Sequence, residues 1–372
     1  TTGRYWEWQN GWRIHYETRL GSDKGPAVLL LSGFGVGGFH WHRNIDELAE
    51  AGLRVHTMDV LGQGSSWPSR DPAPGGGLVG KPGFEWGFGP KACEEQGAAE
   101  LTYSCTLWRD QAIDFIEQVV GEPVVLAGNS LGGYLSAMIA CERPDLVKGI
   151  FFINPTPWWG VGPQRLLPWD GGYPVPAWVR PFTVAWWDTL RKPSTIETLL
   201  SQVYADSSRI GAELVKQIIE PTEQPAAASA FASILCSPGS ALSFSDMLKR
   251  IDEEGKPAAL VYGKEDPWIV PIWGHRAKRI LSRAPYVELS PSGHCPHHET
   301  PEAINALLAE WAHGLLAEDS AAPKYFPAEG EEISIDSCVD GYLRKGIAIR
   351  AYDASPRTFV ERLDDALWRV LG

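Results

Sequence analysis

Polar and bulky apolar residues alternate along 4–9 and again along 12–18, on either side of Asn10-Gly11. Alternation with a period of two marks strands with one buried face, and Asn-Gly favours the positive φ angles that a tight hairpin turn requires. The chain is expected to begin as an antiparallel pair. Apolar runs without alternation follow at 26–31, 53–58, 123–127 and 147–153, and again at 257–262 and 286–289. Short continuous runs suit strands buried on both faces. Helical patterns lie between them at 107–120 and 131–143. Strand alternating with helix predicts an α/β fold built on a mostly parallel sheet.

About a hundred residues, 155–255, interrupt this pattern without a convincing strand run. They open with a Pro-, Gly- and Trp-rich stretch and continue with helical patterns at 178–190, 195–204, 210–219 and 226–235. This segment is expected to form a helical cap inserted into a core of residues 1–154 and 256–317. Residues 68–100, rich in Gly and Pro, read as a long surface excursion. Beyond residue 318 an acidic linker, two strand-like runs and a helix near 359–371 form a C-terminal extension with no assigned role.

Composition narrows the function classes. No apolar run approaches the roughly 18 residues of a membrane span. A net charge of −13, without clustered Lys and Arg, excludes a nucleic-acid partner and disfavours electrostatic docking on anionic lipid. The six cysteines lack C-x-x-C spacing, so a zinc ribbon or dense disulfide framework is not expected and a reducing compartment is the simplest reading. Seventeen tryptophans imply a large aromatic surface in need of apolar partners.

The chemistry concentrates at Gly128-Asn129-Ser130-Leu131-Gly132, where a buried strand runs through G-x-S-x-G into a helix. A serine in that setting sits on a sharp turn with its hydroxyl exposed, the nucleophile elbow of the α/β-hydrolase fold. The hydroxyl needs a base, and the base a carboxylate to orient it, following in the order Ser, acid, His at strand ends. Asp266 follows the run at 257–262 and His294 the run at 286–289. Glu265 is the rival to Asp266, which is preferred as the shorter and more usual orienter. The long gap before Asp266 holds the cap. His297 and His298 follow His294 closely, but without a second ligand cluster no metal site is expected, and no cofactor.

The tetrahedral oxyanion needs two preorganised N–H donors, assigned to Leu131 after the nucleophile and Phe34 after the first parallel run. The same loop, Gly33-Phe34-Gly35-Val36-Gly37-Gly38, satisfies G-x-G-x-x-G, with Asp59 ending the next run. Taken alone it would support a dinucleotide fold. The hydrolase reading accounts for these glycines as room for an oxyanion loop and also uses the elbow, acid and histidine.

Beyond the elbow, the chain resembles the pheophytinase family, plant and algal enzymes that remove phytol from pheophytin. The resemblance runs through Gly33-Phe34-Gly35-Val36-Gly37, Asp59 with Leu61-Gly62-Gln63-Gly64-Ser65, and Leu107-Trp108-Arg109-Asp110-Gln111 leading to Gly121-Glu122-Pro123. It continues through Gly128-Asn129-Ser130-Leu131-Gly132-Gly133-Tyr134, Asn154-Pro155-Thr156-Pro157-Trp158-Trp159-Gly160, Tyr262-Gly263-Lys264-Glu265-Asp266-Pro267-Trp268 and Ser292-Gly293-His294-Cys295-Pro296-His297. It covers residues 5–316; Ser32 and Pro155 depart from it, and the tail beyond 318 is unmatched.

The resemblance implies a serine carboxylic-ester hydrolase acting on a hydrophobic tetrapyrrole ester and giving pheophorbide. It further implies a chloroplast location, in the stroma or at the thylakoid surface, with no transit peptide among these residues and other chlorophyll-breakdown enzymes as possible partners. Trp158, Trp159, Trp186, Trp187 and Trp268 are candidates for substrate contact, with ordinary core packing an equal reading for any one of them. Adjacent tryptophans rarely face the same way, which favours an exposed apolar rim touching the membrane surface. A chlorophyll dephytylase or general lipid esterase of the same fold, and a non-catalytic ligand-binding module, stay open as alternatives.

Overall fold

A computed structural model of the chain describes residues 3–68, 103–159, 180–224, 227–236, 240–317, 323–339, 342–353, 355 and 359–371. Much of the expected surface excursion and the Pro-, Gly- and Trp-rich opening of the cap lie outside these residues.

The alternating N-terminal segments form β1 (Arg4–Trp8) and β2 (Trp12–Leu20), antiparallel, with Trp8 opposite Trp12 and Gly11 at φ +75° in the connection. The six continuous apolar runs fall on β3 (Ala27–Leu31), β4 (Arg54–Met58), β6 (Val124–Asn129), β7 (Val147–Ile153), β8 (Ala258–Gly263) and β9 (Tyr286–Ser290). These six pair in parallel in the order β4-β3-β6-β7-β8-β9, and β2 joins the β4 edge antiparallel. A two-residue strand, β5 (Trp67–Pro68), pairs with β2.

The lack of alternation in these runs has a direct cause. Leu29, Leu126 and Phe152 enter one apolar layer while Val28, Val125 and Phe151 enter another, so successive side chains are buried on opposite faces. The first layer is covered by α2 (Cys105–Phe115), α3 (Leu131–Glu142) and, later in the chain, α8 (Phe244–Glu253) and α9 (Ile272–Ile280). The second is covered by α1 (Ile45–Glu50) and by α11 (Pro301–Gly314), which follows the one-turn helix α10 (Pro296–Glu299). Ser104 caps α2 by accepting the amide of Leu107, and the expected single helix over 107–120 ends instead in a π-helical turn, Ile116–Val120.

Within the interrupting segment lie α4 (Arg180–Leu190), α5 (Pro193–Val203), α6 (Ala212–Ile219) and α7 (Ala227–Cys236). Leu214, Ile218, Val203 and Tyr204 of this layer pack with Cys295, Val36 and Phe39, so the helices cover the loops at the C-terminal ends of the strands. Helix α8, which the pattern reading placed in the cap interval, packs on α3 instead: Tyr134 and Phe244 stack at 6.0 Å, and Met247, Leu248 and Ile251 join the core.

The tail is part of the sheet. β10 (Glu332–Val339) and β11 (Tyr342–Ala351) form an antiparallel hairpin, and β11 pairs with β9 through Ala348–Ala351. The final helix, α12 (Phe359–Leu371), is held to α9 by Asp364, whose carboxylate accepts from Arg276 and Arg279.

Candidate active site

Ser130 occupies the turn between β6 and α3 at φ 54°, ψ −117°, a strained conformation for a residue with a Cβ. The glycines around it make this crossing possible. A Cβ on Gly128 would lie 2.3 Å from the carbonyl of Gly132, and one on Gly132 would lie 2.1 Å from the carbonyl oxygen of Leu31. The amide of Leu131 is in the first turn of α3, among the N–H groups with no partner within the helix.

Asp266 and His294 meet beside this turn. His294 Nδ1 lies 2.6 Å from Asp266 Oδ2, and both side chains are buried. Asp266 Oδ2 also accepts from Asn154 Nδ2 at 2.7 Å, and its Oδ1 accepts the amides of Trp268 at 2.8 Å and Ile269 at 2.9 Å. The carboxylate is thus fixed in one orientation and its lone pairs are filled, the condition under which a buried charge is tolerated. Glu265, the rival by sequence, turns to the outside and accepts from Ser290 Oγ at 2.6 Å and the Ser292 amide at 2.8 Å, so it braces the histidine loop from below without meeting His294. The elbow and that loop are joined by Asn129, whose Nδ2 donates to the carbonyl of His294 at 2.9 Å.

Asn154, at the end of β7, is a positioning residue that pattern reading did not single out. It adopts φ 42°, which Asn tolerates better than most residues, and its Oδ1 accepts the Gly263 amide at 2.9 Å while its Nδ2 holds Asp266. An Asn closing a buried strand was the available signal.

The loop carrying Phe34 is braced from both sides. Gln63 Oε1 accepts the Gly35 amide at 2.5 Å, and Ser32, a departure from the resemblance, donates to the carbonyl of Gly37 at 2.9 Å while accepting from Trp41 Nε1. Gly35 takes φ +79°. The glycines that mimic a dinucleotide motif make room for Asp59: its carboxylate accepts the amides of Gly38 and Ser65, and a Cβ on Gly37 would come within 2.8 Å of it. Buried and committed in this way, Asp59 has no free face for a ribose.

The five tryptophans divide. Trp158, Trp186 and Trp268 are each more than half exposed, while Trp159 and Trp187 are half-buried against the core. Trp159 packs on Phe34 at 5.5 Å, and Phe231 on α7, not anticipated from its Ala-rich helix, lies 5.7 Å from Phe34, 5.0 Å from Trp187 and 6.2 Å from Trp186. The Trp268 ring lies 5.6 Å from that of His294. Aromatic rings therefore run from the loop carrying Phe34 to helices α4 and α7, with others exposed around them.

Behind His294, the neighbouring histidines enter a buried network. His40 Nδ1 lies 3.0 Å from His297 Nε2, His40 Nε2 lies 3.1 Å from the Tyr204 hydroxyl, and that hydroxyl lies 3.0 Å from His298 Nδ1, to which Arg43 also donates. Burial, reinforced by neighbouring histidines and, for His40 and His298, by Arg43, pushes His40 down to about 3 and holds His297 and His298 well below the ordinary imidazole value. Burial likewise raises the Tyr204 hydroxyl and the Cys295 thiol.

A family model for the alpha/beta hydrolase family matches residues 28–307. The chain belongs to the alpha/beta hydrolase family. Among curated relatives of this hydrolase, chloroplastic pheophytinase from Arabidopsis thaliana is 44% identical over 319 residues, covering 82% of this chain and 65% of the relative. The chain thus spans just under two thirds of that protein's length. The human (lyso)-N-acylphosphatidylethanolamine lipase is 27% identical, covering 78% of this chain and 79% of the relative. The crystal structure of a meta-cleavage product hydrolase from Pseudomonas fluorescens IP01 superposes with a TM-score of 0.59 at 18% identity, covering 84% of this chain and 98% of that one, a likeness of fold.

Proposed function

We propose that this hydrolase cleaves a hydrophobic carboxylic ester through Ser130, His294 and Asp266, and that its substrate is pheophytin, from which it releases phytol and pheophorbide. The observation that carries the reaction class is the buried Asp266–His294 pair beside the strained serine elbow. The substrate rests on the similarity to the Arabidopsis pheophytinase.

Ser130 Oγ attacks the propionate carbonyl carbon as its proton passes to His294, which Asp266 holds in the productive tautomer through Nδ1. The negative charge gathers on the carbonyl oxygen, where the amides of Leu131 and Phe34 stabilise it. Collapse of the intermediate breaks the ester C–O bond, and His294 gives its proton to the phytol oxygen. Water, deprotonated by the same histidine, then attacks the acyl-enzyme and frees the pheophorbide carboxyl and Ser130.

The aromatic wall of Phe34, Trp159, Phe231 and Trp187 suits the flat macrocycle and isoprenoid chain, for each offers polarisable rings to apolar atoms already out of water in a bilayer. Trp158, Trp186 and Trp268 stand exposed near it and support contact with a thylakoid surface, with chlorophyll-breakdown enzymes as neighbours there. No helix among the described residues is long and apolar enough to cross a membrane. The chloroplast is the location this reading requires.

The test is turnover of pheophytin and chlorophyll by the purified protein and by Ser130→Ala, with pheophorbide, chlorophyllide and free phytol separated by chromatography. Cleavage of pheophytin alone, lost in the variant, supports the reading. Equal cleavage of both pigments makes the protein a broader dephytylase, and cleavage of neither removes the pigment assignment.

A further inference from the structure

Glu299 takes no part in the chemistry assigned above, yet it is fully buried and its carboxylate accepts three backbone amides. Oε2 accepts Gly293 N at 2.9 Å and Ala205 N at 3.2 Å, and Oε1 accepts Asp206 N at 2.9 Å. Gly293 immediately precedes His294, whereas Ala205 and Asp206 lie just beyond α5 in the cap. The two segments also touch directly. The carbonyl of Val203 accepts the His294 amide at 2.7 Å, and a Cβ on Gly293 would come within 2.2 Å of that same oxygen.

We propose that Glu299 is a positioning residue through which the end of the cap fixes the backbone of His294, an inference that rests on the ester-hydrolase reading. A carboxylate is expensive to bury unless donors meet it, and charge-assisted bonds to amides are short and directional. Here the donors come from two different parts of the fold, so the charge stays satisfied only while both keep their register. Glu265 braces the same loop but reaches only Ser290 and Ser292, residues of the loop itself. Glu299 is the carboxylate that crosses to the cap, and the placement of the imaginary line from Asp266 through His294 to Ser130 depends on it. A displacement of about 1 Å in such an array is enough to cost on the order of 100-fold in rate.

The experiment compares the wild-type chain with E299Q and E299D on p-nitrophenyl butyrate, with the concentration of competent sites counted by fluorophosphonate labelling of Ser130. Gln keeps the shape but turns an NH2 group toward backbone amides; Asp keeps the charge on a shorter arm. The expected result for E299Q is a fall of about 10- to 100-fold in kcat per labelled site with KM within about twofold, and a smaller fall for E299D. Loss confined to the number of labelled sites, with kcat per site unchanged, means a purely structural brace and overturns the proposal, as does an E299Q enzyme of wild-type kcat. A wild-type chain that neither labels nor hydrolyses the ester overturns the hydrolase reading and this inference with it.

Discussion

Mild acid is expected to destabilise this protein steeply, through histidines that the fold buries in the neutral form. Arg43 can only donate, which makes His298 Nδ1 an acceptor and fixes the neutral tautomer of that ring. Arg43 donates to His298 Nδ1, the Tyr204 hydroxyl lies within hydrogen-bond distance of both His298 Nδ1 and His40 Nε2, and His297 Nε2 lies within that distance of His40 Nδ1. A further proton has nowhere to go. On His298 it would face Arg43, on His40 it would put a charge in a fully buried site already close to Arg43, and on His297 it would create a buried donor at Nδ1 with no partner among the described residues.

Unfolding returns each imidazole to a pKa near 6.5, so below that pH the unfolded chain binds more protons than the folded one. Stability from the three neutral rings is therefore fully present above pH 6.5 and is lost as pH falls toward their depressed folded values. At pH 5 the loss is about 2 kcal/mol for each ring and about 6 kcal/mol for the three, a large part of the 5–15 kcal/mol typical of a folded domain. His56, pushed down to about 4 by burial and Arg54, acts in the same direction. His15 opposes it: burial lowers its pKa, but the Asp59 carboxylate 3.1 Å away outweighs burial and raises it, so its charged form favours the fold at low pH. Below pH 6 the His15 contribution is nearly constant, because both states are then protonated, whereas His56 adds to the loss, so unfolding in urea followed by tryptophan fluorescence should give a stability that falls by about 5 kcal/mol per pH unit between pH 6 and pH 5. A slope at or below about 1.4 kcal/mol per unit, the value for one proton, would show that the folded network accepts protons freely and would refute the reasoning.

The elbow strain predicts that Ser130→Gly, inactive like Ser130→Ala, is the more stable of the two by about 1–3 kcal/mol in the same unfolding assay, since Gly adopts φ 54° without a Cβ. Asn154→Asp places a second carboxylate against Asp266 Oδ2 in place of a donor. The added charge favours the His294 imidazolium, so the acid limb of kcat/KM should move to higher pH while the plateau falls about 10-fold or more. Phe231→Ala removes the ring on which Phe34, Trp186 and Trp187 converge, and kcat/KM for pheophytin relative to p-nitrophenyl butyrate should fall about tenfold. An unchanged ratio would place the pigment elsewhere.

Local pattern determined much of this protein. Runs that bury both faces of a strand must be continuous, and an antiparallel edge exposed on one face must alternate, so β1 to β4 and β6 to β9 were legible with their boundaries nearly right. The elbow was legible as well, because only glycine fits where Gly128 and Gly132 cross their neighbours. Sequence preferred Asp266 to Glu265 on side-chain length alone; that Asp266 meets His294 while Glu265 turns to Ser290 and Ser292 lay with the tertiary path of the loop. The same holds for Asn154, Gln63 and Glu299, ordinary polar residues until folding buries them against amides from distant segments. The tail reads as an appendage in sequence because nothing local records that β11 pairs with β9. Helix α8 reads as cap for a related reason, its apolar stripe matching α3 as well as any cap partner. Periodicity and steric exclusion act between near neighbours and are written along the chain; long-range hydrogen bonds and the choice of packing partner exist only once distant segments meet.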